Sequence, residues 1–179
     1  MTISIGTLTA VPASQHPELL GRSVAEALVG WEYADQVGVV RIDPELADTA
    51  AMTAAYHVPL SSSVNCVVVM GRRDAIERTA ACLVRADTRA DVNNRVRRLL
   101  EVRKASFLAH ERAVEETGME YGGITPIGLP GHWRLFVDAA VVEIASAVIG
   151  SGIRGSKLVL PGSALAHLPR AEVIPQLAT

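Results

Sequence analysis

The sequence predicts a mixed α/β (α+β) domain, a mostly antiparallel sheet with helices packed around it. Three observations carry this. The chain has 179 residues, 49% hydrophobic and 20% charged, which suits one compact domain burying about 70% of its unfolded surface without disulfide or metal staples. Short β-rich runs such as "VNCVVVM" (64–70) stand beside stretches whose apolar residues recur at helical spacing. The two kinds of segment follow one another without the strict alternation of a parallel βαβ fold.

Taken in order, residues 1–16 read as a loose leader, and 1–30 as an N-terminal extension to a main domain over 31–179. After Pro17, Leu20, Val24, Ala27 and Leu28 fall on one helical face that Gly30 can close. That amphipathic helix is placed to cover a sheet edge or to mediate a homodimer. "QVGVVRI" (36–42) is a β-rich run, and Asp43-Pro44 then supplies an N-cap and a first-turn proline for a helix to about Tyr56, stopped by Pro59. "VNCVVVM" reads as a buried strand, turned by Arg72-Arg73-Asp74 into "RTAACLV" (78–84) as its antiparallel neighbour. Val92, Val96, Leu99 and Leu100 form a helical stripe, and Ser106 is placed to cap a helix through Glu116 that Gly118 ends. "WRLFVD", "SAVIG", "SKLVL" and "AEVIP" read as later strands, with a short helix after Pro161.

Composition excludes several classes. A net charge of −2 argues against a surface basic throughout, while leaving room for a local basic patch. Cys66 and Cys82 sit inside apolar runs and read as reduced core residues. No paired ligand spacing or cofactor fingerprint occurs, so neither a metal nor a cofactor is expected. The longest apolar run is interrupted by Asp138 and Glu143, so no membrane segment is expected and the cytoplasm is the default location.

Two motifs carry a resemblance. "TGMEYGGITPIGLPGHWRLFVD" followed by "VIGSGIRGSKLVLPGSALAHL" resembles the YbaK and prolyl-tRNA synthetase-associated editing domain family. Its members carry a TG…GG-[IV]-[ST]-P-[IFL]-G loop, an aspartate closing a strand, and then an S-G-x-x-G-x-x-[IL]-x-[IL] segment. The resemblance covers roughly residues 30–175 and implies that family's fold, with a barrel-like core. It also implies hydrolysis of the ester joining a wrong amino acid to the 3′ end of tRNA, by a free-standing deacylase. The implied partners are aminoacylated tRNA and an aminoacyl-tRNA synthetase.

The chemistry fits such a loop. Ester hydrolysis builds charge on a carbonyl oxygen, which preorganised backbone N–H groups can stabilise. Gly122, Gly123 and Gly128 let the backbone approach a substrate, Pro126 fixes the turn around Thr125, and Ile124 and Ile127 anchor it with its amides toward the cleft. In the second motif Gly152 and Gly155 allow a tight turn, Ser151 is a hydrogen-bonding candidate, and Arg154 suits terminal phosphates. Asp138 is expected to orient a loop or cap rather than to act as a base.

One position departs from the family pattern. Its members place a lysine early in the central strand, where this chain has Asn65, whose amide donates and accepts hydrogen bonds but carries no charge. Three outcomes are open: attack assisted by the ribose hydroxyl, another cation such as Lys104, Arg72 or Lys157 reaching the cleft, or binding without catalysis. Among histidines, His132 is placed to overhang the cleft, while His57, His110 and His167 read as ordinary surface or half-buried residues. Arg72, Arg73 and the basic stretch "RVRRLLEVRK" (95–104), which ends at Lys104, are candidates for tRNA phosphates.

Overall fold

The computed structural model describes residues 3–179. The chain opens on a hairpin, β1 (Ile3–Ile5) and β2 (Leu8–Pro12), and β2 pairs antiparallel with β3 (Gly38–Arg41). Residues 3–12 are therefore sheet, not a loose leader. Their inward set is only Leu8 and Ala10, too short for a period of two to stand out. α1 (Arg22–Leu28) buries Val24 and Leu28. It is shorter than the expected helix because Pro17–Leu19 forms a separate turn and Gly21 is extended.

The single helix expected from Asp43 is two pieces. Asp43 caps only the turn Pro44–Leu46, accepting from Glu45 N at 3.0 Å. Asp48 then adopts an extended backbone and caps α2 (Thr49–Tyr56), accepting from Ala50 N at 2.9 Å. His57, in the left-handed region, ends that helix before Pro59 does.

β4 (Val64–Arg73) and β5 (Ile76–Arg85) pair antiparallel along their full length. Asp74 and Ala75 turn the chain between them, both with positive φ (51° and 68°), the geometry of a two-residue hairpin loop. The asparagine-bearing run Val92–Val96 is a π-helical turn capped by Asp91, and it continues into α3 (Arg97–Leu99). β6 (Lys104–Phe107) adds to the free edge of β4, so Ser106 pairs with Met70 instead of capping a helix. α4 (His110–Thr117) starts beyond it and ends at Gly118 (φ 66°) as expected. β7 (Arg134–Asp138) leads into α5 (Ala139–Val142), a single turn too short to show periodicity. β8 (Ala147–Gly150), β9 (Ser156–Leu160), α6 (Gly162–Leu165) and β10 (Ala171–Ile174) follow the sequence reading.

The strands form two five-stranded sheets, ordered β1-β2-β3-β9-β8 and β10-β7-β5-β4-β6. All pairs are antiparallel except β5 with β7 and β7 with β10. Their inner faces share one core: Val39, Ile149, Leu158 and Leu160 meet Ala81, Leu83, Leu135 and Val137, closed at one end by Val24 and Leu28 of α1. Met52 of α2 covers the outside of the first sheet, and Val92, Val96 and Leu100 cover the second. A parallel bridge between Ser63 and Val148 joins the sheets where β4 begins. This junction positions the site. No helix among the described residues is long and apolar enough to cross a membrane.

Candidate active site

At the junction lies a cavity of about 330 Å³. One wall is the first turn of β4, Val64 to Val68; facing it are Gly150 of β8, Lys157 of β9, the loop at Tyr121-Gly122 and the segment Ala47-Asp48-Thr49. Phe107, Leu108, His110 and Ala113 complete it from β6 and α4. The break between Asp43 and Asp48 is what brings the helix start of α2 to this wall.

Lys157 is the one lysine or arginine buried among the described residues, at 5% exposure. Its Nζ donates to Ala47 O at 2.9 Å and Gly122 O at 3.1 Å, tying β9 to both facing segments. Burial lowers its pKa to about 8; the Asp48 carboxylate pulls in the opposite direction, and the Arg154 charge adds to the lowering. On β4, Asn65 Oδ1 accepts from Thr49 Oγ1 at 2.8 Å, so its NH2 end remains to be offered. Cys66 lines the same wall, but burial pushes its thiol up to about 12. At neutral pH it is a thiol and no nucleophile.

Of the glycine-loop candidates, Gly122 lines the cavity and Gly123, Thr125, Pro126 and Gly128 do not. The loop also presents the opposite polarity from that expected: Tyr121 O accepts from Arg154 Nη1 at 3.1 Å and Gly122 O accepts from Lys157, so carbonyls meet cations where amides were expected to face the cleft. Gly123 lies against the 150–153 segment, its carbonyl accepting from Gly152 N at 2.8 Å. Thr125 is fully buried with an unpartnered hydroxyl. Pro126 and Gly128 line a separate cavity with Trp31 and Trp133. At Gly128 (φ 83°) a Cβ would collide with the Ser23 carbonyl of α1, so this glycine admits the helix rather than a substrate.

In the second motif only Arg154 lines the cavity. Its guanidinium donates to Tyr121 O and, at 2.8 Å, to Pro44 O, and so braces the loop instead of standing out for phosphates. Ser151 is buried and bonded to Ser156 Oγ at 2.7 Å, Gly152 packs on Gly21, and Gly155 O accepts from Ile42 N. Asp138 is a cap: its carboxylate accepts from Ala140 N and Ala178 N, each at 2.8 Å. His132 stands out from the surface beside Glu116, and the histidine that lines the cavity is His110. Arg72 pairs with Glu77, Arg73 with Asp74, and Lys104 lies opposite Arg72 on the edge strand. All three are at the far end of β4, roughly 23 Å from Asn65 at 3.3 Å per residue.

A model of the aminoacyl-tRNA editing domain family matches residues 43–168. The chain belongs to the aminoacyl-tRNA editing domain family. It is 34% identical over 80 residues to a proline–tRNA ligase of Listeria welshimeri, covering 44% of this chain and 14% of the ligase. It is 26% identical over 113 residues to a proline–tRNA ligase of Listeria monocytogenes, covering 63% of this chain and 19% of that one. The chain thus spans a fifth or less of these synthetases. Two solved structures share the fold. One, described as a candidate trans-editing enzyme for prolyl tRNA synthetase, has a TM-score of 0.72 at 19% identity, with 87% of this chain and 94% of that one covered. The other, a hypothetical protein, has a TM-score of 0.69 at 21% identity, with 79% and 90% covered.

Within this editing domain, sequence reasoning missed Asp48, Thr49, Phe107, His110 and Tyr121, all on the cavity wall. Asp48-Thr49 carried a readable signal, a capping residue ahead of the apolar-periodic "AAMTAAY". The stronger-looking Asp43-Pro44 start masked it. Phe107, His110 and Tyr121 carried none, because their grouping depends on β6 forming and on where α4 begins and ends.

Proposed function

We propose that this editing domain is a free-standing, trans-acting deacylase that hydrolyses the ester of a mischarged small amino acid on tRNA, in the cytoplasm, with a synthetase as candidate protein partner. The observation that carries it is the Lys157 ammonium, buried in the cavity wall opposite Asn65. Negative charge develops on the ester carbonyl oxygen during attack, and a preorganised cation in a water-poor cavity lowers that barrier. A cation supplied from β9 replaces the one that Asn65 cannot provide from β4. The Asn65 NH2, its oxygen held by Thr49, then positions the ester, and the 2′-hydroxyl of the terminal ribose assists the attacking water. Asp48 balances the pocket charge and suits the α-ammonium of an aminoacyl group. Val64, Val68, Leu108 and Ile124 offer a small apolar side chain a wall.

Deacylation of tRNAs charged with alanine, cysteine, serine or proline tests this reading. At least one ester is expected to be cleaved faster than in buffer; a panel with no hydrolysis rejects it. A second reading, a silent module binding aminoacyl-tRNA, an amino acid or a protein partner, is favoured by one observation: Lys157 and Asn65 both already have protein partners. It predicts tight binding of charged tRNA without turnover, unchanged by Asn65→Lys.

A further inference from the structure

The chain has two phenylalanines, three tyrosines and two tryptophans. Of these rings only Phe107 and Tyr121 are exposed, at 68% and 54%. Both line the same cavity, though they come from different elements. Phe107 is the last residue of the edge strand β6, opposite Val69. Tyr121 comes between α4 and the glycine pair, its ring 4.4 Å from that of His110 at the start of α4 and tilted by 34°. The backbone under Tyr121 is fixed, because its carbonyl accepts from Arg154. Leaving large rings in water is unfavourable, and this chain buries or half-buries all its others. Two exposed rings lining one cavity therefore mark a surface that suits a planar ligand.

The polar groups that would hold an ester, Lys157, Asn65 and Thr49, line the same cavity from strands and a helix start, and Lys157 bonds to the carbonyl of Gly122 beside Tyr121. An aminoacyl ester on tRNA is attached to a nucleoside, so its base must sit beside the cavity that receives the ester. We propose that Phe107 and the Tyr121–His110 pair form a stacking site for the adenine of the terminal nucleoside that carries the aminoacyl group. The site reads the base by its aromatic face, without edge hydrogen bonds, and so tolerates any tRNA body. It rests on the deacylase reading for the position of the ester but not for the stacking itself.

The test uses the full chain and two hydrolysis-resistant probes. One is 3′-alanylamino-3′-deoxyadenosine; the other is the same alanyl amide on a ribose methyl glycoside without a base. Binding is measured by calorimetry to wild type, Phe107→Ala, Tyr121→Ala and Tyr121→Phe, with thermal midpoints confirming that each folds. The adenosine probe is expected to bind wild type about tenfold more tightly than the base-free probe. That advantage should vanish in Tyr121→Ala, shrink in Phe107→Ala and persist in Tyr121→Phe, while the base-free probe is indifferent to all three. Equal binding of the two probes, binding of neither, or an advantage that survives both alanine variants overturns the proposal. Hydrolysis of charged tRNA is read separately: base-dependent binding by a chain that cleaves no ester would remove the deacylase and leave the stacking site.

Discussion

At the scale of single residues, Lys157 is the centre of the account. Its pKa is depressed to about 8, below the value near 10.4 of a lysine in an unfolded chain. It is charged below about pH 8 and neutral above it, so the rate over the uncatalysed background should fall as pH rises through 8. Stability moves the other way. The folded state disfavours the charge, so this penalty is present below pH 8 and fades as pH rises from about 8 toward 10.4. The full shift corresponds to a few kcal/mol at most, on the order of 3. Lys157→Met removes it but leaves the Ala47 and Gly122 carbonyls unpaired, which costs about 1–3 kcal/mol each. The variant should therefore be no less stable than wild type at pH 7 by more than about 3 kcal/mol. It should also lose the rise in thermal midpoint between pH 7 and pH 9.5; a midpoint that still rises would refute the assignment. In the sequence, Lys157 was one of three cations, with Lys104 and Arg72, that could reach the cleft, and "SKLVL" itself looked like any buried strand. That Lys157 is the one lining the cavity follows from the place of β9 between β3 and β8, which no local pattern reveals.

At the scale of elements, strands were legible and helix starts were not. "VNCVVVM" and "RTAACLV" are β-rich enough to declare themselves, and the predicted pairing of the two is the longest ladder in the fold. Asp43 and Asp48 are both good caps, and only packing against the cavity wall decides that the helix begins at the second. Ser106 had the chemistry of a cap, but the open edge of β4 needed a partner, and pairing outweighed it. The hairpin loop gives a stability test. Ala75 sits at φ 68°, where a Cβ is unfavourable and glycine is not. Ala75→Gly should stabilise the chain by about 0.5–1 kcal/mol, seen as a raised denaturation midpoint without change in activity. An unchanged or lowered midpoint would mean that the turn accommodates alanine without cost.

For the whole molecule, a net charge of −2 conceals an uneven distribution. Arg73, Arg97, Arg98 and Arg103 gather around the tip of the β4–β5 hairpin, with Asp74 and Glu101 among them. Of the Arg72, Arg73 and Lys104 candidates, Arg73 belongs to this patch, while Arg72 and Lys104 pair across β4 and β6 on the other face; none lines the ester cavity. With the 3′ end in the cavity, this basic cluster is the candidate contact for the phosphates of the acceptor duplex. Arg98→Ala with Arg103→Ala should then weaken tRNA binding and make its salt dependence shallower, by roughly 0.7–0.9 in the log–log slope per lost phosphate contact. Hydrolysis of a minimal aminoacyl-adenosine should be unaffected. Equal loss on both substrates would place these arginines in the fold rather than on the tRNA.

The measurement that bears most directly on the account is single-turnover deacylation of the best-cleaved charged tRNA by wild type and Lys157→Met, at equal thermal stability. A buried cation that stabilises the developing oxyanion predicts a loss of about 10²–10³-fold on its removal. A Lys157→Met variant that cleaves within twofold of wild type would contradict the account.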